Sequence, residues 1–262
     1  MDTTDKARQA ADSPVLDRLA RVGFACRGVL YALIGVLAVQ IALGRGGREA
    51  DKGGAIKTVA ELPFGQVLLW VMVVGFAALA LWQLSEALLS RGKVKDRVES
   101  GAKVAVYGLI LVTLLAVLLT GRSSSDDQKS QDLTGKLLAL PAGQWLVGAI
   151  GAGVVALGAF WVHYGIKRRF HEELGAMPPT ARQVMDKLGL AGYVARGLIA
   201  GLAGIFVIQA AITFDPDKAG GIDATLHGFA DTPVGPWLLV VVALGLVLFA
   251  GYCFGEARWR RI

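Results

Sequence analysis

Cysteine and charge are both scarce in this chain. Two cysteines in 262 residues make no disulfide framework. Charged residues are 18% of the chain, against about 25% in a typical soluble domain. No Walker loop, no HExxH zinc motif and no nucleophile elbow is present. The Gly-rich segment GAIGAG lies inside an apolar run, so it cannot cradle a phosphate at a strand–helix turn. These absences argue against an enzyme, a resident metal or a cofactor. What is abundant is apolar: hydrophobic residues are 54%, glycine fills 34 positions and the mean hydropathy is +0.53. Such a composition excludes disorder, which needs few apolar residues.

Six stretches contain no Asp, Glu, Lys or Arg: residues 28–44, 62–85, 104–121, 137–166, 197–214 and 232–255. Crossing about 30 Å of hydrocarbon takes roughly 20 helical residues. The runs are continuous, as in VGAIGAGVVALGAFWV, and do not alternate as barrel strands do. The pattern predicts an all-α polytopic membrane protein with six transmembrane helices. Spans fall at 22–43, 65–89, 102–121, 143–166, 190–214 and 234–257. The first 21 residues are polar and of mixed charge, so the first run reads as a retained helix and not as a cleaved signal.

Basic residues orient the spans. The segments 1–21, 90–101, 167–189 and 258–262 hold 16 Lys and Arg; the alternate segments, of the same total length, hold 8. Both termini are expected to be cytoplasmic. The net charge of +6 then serves topology, and no nucleic-acid partner is implied.

The even-numbered spans open with ELPFGQVLLW, ALPAGQWLVG and DTPVGPWLLV. Counted from Pro63, Pro141 and Pro233, four columns match. Gly65, Gly143 and Gly235 come first. Gly75, Gly153 and Gly245 follow, then the aromatic residues Trp82, Phe160 and Tyr252, and then Arg91, Arg169 and Arg261. In the odd spans Gly23, Arg27, Gly28, Gly35 and Gln40 align with Gly192, Arg196, Gly197, Gly204 and Gln209. The middle copy keeps Gly108 and has Tyr107 in the arginine column. The chain therefore divides into a cytoplasmic tail (1–18), hairpin repeats at 19–92, 98–170 and 188–262, and a linker at 171–187. Repeats of equal topology are parallel and suggest a pseudo-threefold arrangement about the membrane normal. Gly197 and Gly201 form a GxxxG suited to close helix packing.

These repeated glycine- and arginine-bearing openings resemble domain-of-unknown-function family 1206, bacterial integral membrane proteins with three two-helix repeats. The resemblance covers the chain from about Leu19 to Ile262. It implies the fold and a bacterial inner (plasma) membrane, and it implies no activity.

Ionisable groups inside spans are functional candidates by default. Arg27 and Arg196 share one column, and Glu86 and Glu256 another. The middle repeat puts Tyr107 and Tyr164 there, so the two columns change together. Arg27 sits roughly 9 Å, and Glu86 roughly 6 Å, from the cytoplasmic edge at 1.5 Å per residue. The candidate polar layer is Arg27, Glu86, Tyr107, Tyr164, Arg196 and Glu256, with Arg27 expected to pair with Glu86 and Arg196 with Glu256. Snorkelling to the interface is the plainer alternative.

His163 is alone on an apolar helix and is expected to be a packed core histidine. Cys26 and Cys253 would lie close if the first and last helices close a ring, and they are expected to be free thiols. Gln40 and Gln209 suggest hydrogen bonds between helices. The outer loops carry apolar residues at helical spacing: Ile56, Val59 and Leu62; Leu133, Leu137 and Leu140; Ile222, Leu226 and Phe229. These predict short surface helices. RSSSDDQKSQD reads as a mobile polar loop, and His227 and Asp231 form no metal site.

Two functions stay open. One is a non-enzymatic accessory or structural module in the bilayer that assembles with other membrane proteins. The other is a small transporter or channel with a site at the repeat interface. Oligomeric state cannot be read from the sequence.

Overall fold

An apolar run in lipid must satisfy its own backbone, and a helix does so within one segment. In the computed structural model each of the six runs is helical. The structure describes residues 14–43, 50–89, 94–120, 126–219 and 235–261. Its elements are α1 (Pro14–Ala42), α2 (Lys52–Ala60), α3 (Gly65–Leu89), α4 (Val94–Thr120), α5 (Asp126–Leu138), α6 (Gly143–Ile166), α7 (Pro179–Thr213) and α8 (Gly235–Trp259). Two short 3₁₀ turns, Arg169–Glu173 and Pro216–Lys218, flank α7. Six of these helices are long and apolar enough to cross a membrane: α1, α3, α4, α6, α7 and α8. This is a multi-pass, all-α membrane protein.

Three helices begin earlier than their apolar runs. α1 starts at Pro14, α4 at Val94 and α7 at Pro179. A run of apolar residues marks where lipid begins, whereas a helix continues through charged residues as long as its backbone bonds do. In α7, Pro179 occupies the first turn, where a missing N–H costs nothing.

The surface segments are partly as expected. Asp51 caps α2, its Oδ1 accepting the Gly54 N–H at 2.7 Å. Ile56 and Val59 are buried, while Leu62 is exposed. α5 begins at Asp126, so most of RSSSDDQKSQD is helical and not a loop. Leu133 and Leu140 are exposed. Ile222, Leu226, Phe229, His227 and Asp231 lie outside the described residues.

The repeated Pro-x-Gly has a local cause. Phe64 and Ala142, each just after the proline, have positive φ of 64° and 61°. The chain turns there from the short helix, α2 or α5, into the spanning helix, α3 or α6. Gly65 and Gly143 close the turn by donating to the carbonyls of Leu62 and Leu140 at 2.8 and 2.9 Å. A Cβ on Gly65 would lie 2.7 Å from the Ala60 carbonyl oxygen, and one on Gly143 2.9 Å from the Leu137 carbonyl carbon. Glycine is therefore required there by space.

The described residues within 1–29, 56–123 and 253–262 form one compact unit, and those within 30–55 and 124–252 form a second. In the first unit α3 packs beside α4. Its α1 segment meets α3 at Gly23 and Gly75, where a Cβ on Gly75 would lie 3.0 Å from the Gly23 Cα. In the second unit α6 packs beside α7. Gly158 faces Gly197 and Gly201, and an added Cβ would come within 2.6 Å of the Gly197 carbonyl. The GxxxG of α7 thus serves close approach to α6.

The repeat columns explain this packing. Gly204 faces Gly151 and Val155 of α6, and Gly35, its counterpart in α1, faces Ala243 and Val247 of α8. These partners are equally placed after Pro141 and Pro233. Within hairpins, Gly23 faces Leu79, and Gly192 faces Phe249, also at matching positions. The same contact is copied along with the sequence that makes it.

Candidate functional site

Two neighbourhoods of polar groups lie inside the spans, one in each unit. In the first, Glu256 on α8 is fully buried. A lone buried carboxylate would be costly, so it needs cations. Two supply it: Arg27 Nη2 binds Oε2, and Arg260 Nη1 binds Oε1. Arg27 also donates from Nη1 to the Tyr107 hydroxyl at 3.0 Å and from Nε to Cys253 Sγ at 3.3 Å. Phe24 and Trp82 meet edge to face at 6.0 Å. The Arg260 guanidinium lies 4.9 Å from the Phe24 ring and 5.3 Å from that of Trp82. Arg21 donates to the carbonyls of Ala257 and Arg258 at 3.0 and 2.6 Å, so a cation caps the C-terminal end of α8.

The pairing therefore differs from the one expected. Arg27 pairs with Glu256 of the third repeat and not with Glu86 of its own. Glu86 is exposed on α3 and has no ion pair with Arg27. The partner of an odd helix here is the even helix of the neighbouring repeat. Cys26 and Cys253 are buried free thiols of this unit.

The second neighbourhood surrounds Arg196 on α7. The expected pair with Glu256 is replaced by a stack on rings. The guanidinium lies 3.9 Å from the Trp161 centroid, 5.5 Å from Phe249 and 5.7 Å from Tyr31. A cation over an aromatic face is held by the ring quadrupole, most strongly by Trp. Tyr164 stands where Glu256 stands in the third repeat, and its hydroxyl donates to Glu173 Oε1 at 3.1 Å. Tyr193 joins the cluster 4.9 Å from Tyr164, 5.2 Å from Phe249 and 5.5 Å from Tyr252. Tyr193 and Tyr252 repeat the Phe24–Trp82 contact of the first hairpin.

Between α6 and α7, Asp186 holds His171 through Nε2 and Arg168 at 3.6 Å. His163 is exposed on α6 and not packed in a core. Gln40 and Gln209 are also exposed, and among the described residues neither side chain bonds another helix. Arg91 lies outside the described residues.

Sequence reasoning missed Arg260 and Arg21, because basic residues at a span end already have a topological explanation. Arg260 follows Glu256 by four residues, the spacing at which helix side chains meet, and that signal was available. Trp161, Tyr31 and Phe249 carried no signal beyond being aromatic. Chemically, the first neighbourhood is an ion-pair network in which both Glu256 oxygens are bound by arginines. The second is a cation held by rings, with no carboxylate bound to it among the described residues.

Three stretches of the chain, residues 22–90, 99–168 and 191–260, match the family described as Domain of Unknown Function (DUF1206). A Bacillus subtilis (strain 168) protein described as uncharacterized, YxxB, is 31% identical over 258 residues, covering 95% of this chain and 93% of that protein. The chain belongs to the DUF1206 family. No solved structure matches it. The three DUF1206 matches each contain one odd and one even spanning helix. The first match holds Arg27, the second Tyr107 and Tyr164, and the third Arg196 and Glu256. The ion pair of the first neighbourhood therefore joins the first DUF1206 copy to the third.

Proposed function

We propose that this chain is a non-enzymatic module of the bacterial inner membrane, with both termini cytoplasmic, that binds a transmembrane helix of another membrane protein. The topology rests on the twofold excess of basic residues in alternate segments. The non-enzymatic reading is supported by Glu256, whose two oxygens are both bound by arginines of the chain itself.

One observation carries the assembly reading: the exposed face of α6. Gly75 and Gly245 are each covered by the odd helix of their own hairpin, at Gly23 and at Ala195. Gly153, in the same column, has nothing within 4 Å among the described residues of its own unit. Ala149, Ala152 and Ala156 beside it are exposed too. Lipid tails give apolar helices no hydrophobic reason to associate, so small residues matter by letting backbones approach. His163, nearly three turns beyond Gly153 on this face, is exposed in an apolar span. A polar group there gains from a partner that hydrogen-bonds it. The fitting occupant is a helix with small residues opposite Gly153 and a hydrogen-bonding side chain at the level of His163.

The test is purification in mild detergent, with mass spectrometry of what travels with the chain, for wild type and Gly153→Leu. The expected result is a stoichiometric membrane protein that Gly153→Leu releases. The stability of the chain itself should change by no more than about 0.5 kcal/mol. A complex indifferent to Gly153→Leu would refute the surface. A chain that purifies alone and carries solute flux in liposomes would replace assembly with transport.

A further inference from the structure

Arg196 differs from its counterpart Arg27 in one respect with chemical consequences. Both are half-buried and lie in spanning helices. Arg27 is bound by a carboxylate, a phenol and a thiol. Among the described residues the Arg196 guanidinium has no hydrogen-bond or ion-pair partner and lies against three rings: Trp161, Phe249 and Tyr31. The carboxylate that would stand opposite it is replaced by Tyr164, whose hydroxyl is turned to Glu173.

A guanidinium uses two different surfaces. Its flat face stacks on aromatic rings, and its edge carries five N–H donors in the plane. At 3.9 Å the Trp161 ring occupies the face. The edge donates to no protein acceptor among the described residues. A cation in a spanning segment with its face covered and its donors unmet calls for an anion with several acceptor oxygens. Phosphate matches the planar fork of arginine and can accept two parallel hydrogen bonds.

We propose that Arg196, held flat on Trp161, is a phosphate-binding site at the basic-loop side of the membrane. Phosphate chemistry reaches that depth in two forms, the headgroup of an anionic phospholipid or a free phosphate ion. The aromatic wall of Tyr31, Trp161 and Phe249 does not bind the anion. It fixes the guanidinium so that little freedom is lost on binding.

The experiment uses the full chain in mild detergent. Phosphatidylglycerol, phosphatidylcholine and inorganic phosphate are titrated separately, with native mass spectrometry counting bound lipid and thermal unfolding reading stabilisation. Wild type should retain phosphatidylglycerol over phosphatidylcholine, and Arg196→Gln should bind it about tenfold more weakly, as expected when a charge-assisted hydrogen bond is lost. Arg261→Gln, an exposed basic residue, controls for general attraction of anions and should leave retention unchanged. Stabilisation by phosphatidylglycerol but not by inorganic phosphate assigns the site to a headgroup. Stabilisation by inorganic phosphate alone assigns it to the free ion. If Arg196→Gln does not fold, Trp161→Leu makes the comparison, because it keeps the charge and removes the stack. Equal retention by wild type and the folded variant, or no response to either phosphate source, overturns the proposal.

Discussion

Arg27 and Arg196 occupy one column of the repeat, and their surroundings differ. Arg27 is neutralised by a buried glutamate that it shares with Arg260. Arg196 is held by three aromatic rings. An isolated arginine at the centre of a span costs about 2.5–3.5 kcal/mol on insertion scales, and both arrangements offset part of that. They do so differently. An ion pair is strong while complete and damaging once broken. A cation–π stack contributes less, and losing one ring leaves no orphan charge of opposite sign. The fold keeps the helix contacts of the repeat almost unchanged, while the chemistry at one column is free to diverge.

The sharpest way to break the comparison is Glu256→Ala. It leaves Arg27 and Arg260 facing each other without the carboxylate that each binds. Removing one member of a buried ion pair costs about 3–5 kcal/mol, so this variant should unfold or lose most of its thermal stability in mild detergent. A shift comparable with that of an exposed substitution would mean that water already neutralises the cluster. In the other neighbourhood, Trp161→Leu should cost about 1–2 kcal/mol, the range of a partly desolvated cation–π contact. If Trp161→Leu proved as damaging as Glu256→Ala, the two arginines would not differ in the way the geometry indicates.

Much of the fold was legible in the sequence, because each apolar run reports its own environment. The hairpin repeat was legible because glycine columns mark places where backbones nearly touch, as at Gly35 and Gly204. Helix starts were not. Arg18 and Arg21 lie in α1 ahead of its apolar run, and nothing in a hydropathy pattern requires a helix to end where lipid does. Which residues form the polar column was readable from Arg27 and Glu256, but their partnership was not. Glu86 and Glu256 sit at the same depth in their repeats, so depth alone gives Arg27 two equal choices. The choice falls to packing between repeats, and periodicity within a repeat does not encode it. His163 was misplaced for a related reason. Lipid and protein interior are equally apolar, so an apolar helix does not disclose which of its faces is covered.

The finest test of the comparison is therefore a null. Glu86 is the repeat counterpart of Glu256, yet it is exposed. A double-mutant cycle of Arg27→Ala with Glu86→Ala should show coupling below about 0.5 kcal/mol, as expected for residues that share no contact. The same cycle with Tyr107→Phe should show coupling of about 0.5–1.5 kcal/mol, since that hydroxyl accepts from Arg27 at 3.0 Å. Tyr107 belongs to the middle repeat, so a measured coupling there would place all three repeats in one polar network around Arg27. Coupling to Glu86 in its place would restore the pairing within a hairpin and make Glu256 a partner of Arg260 alone.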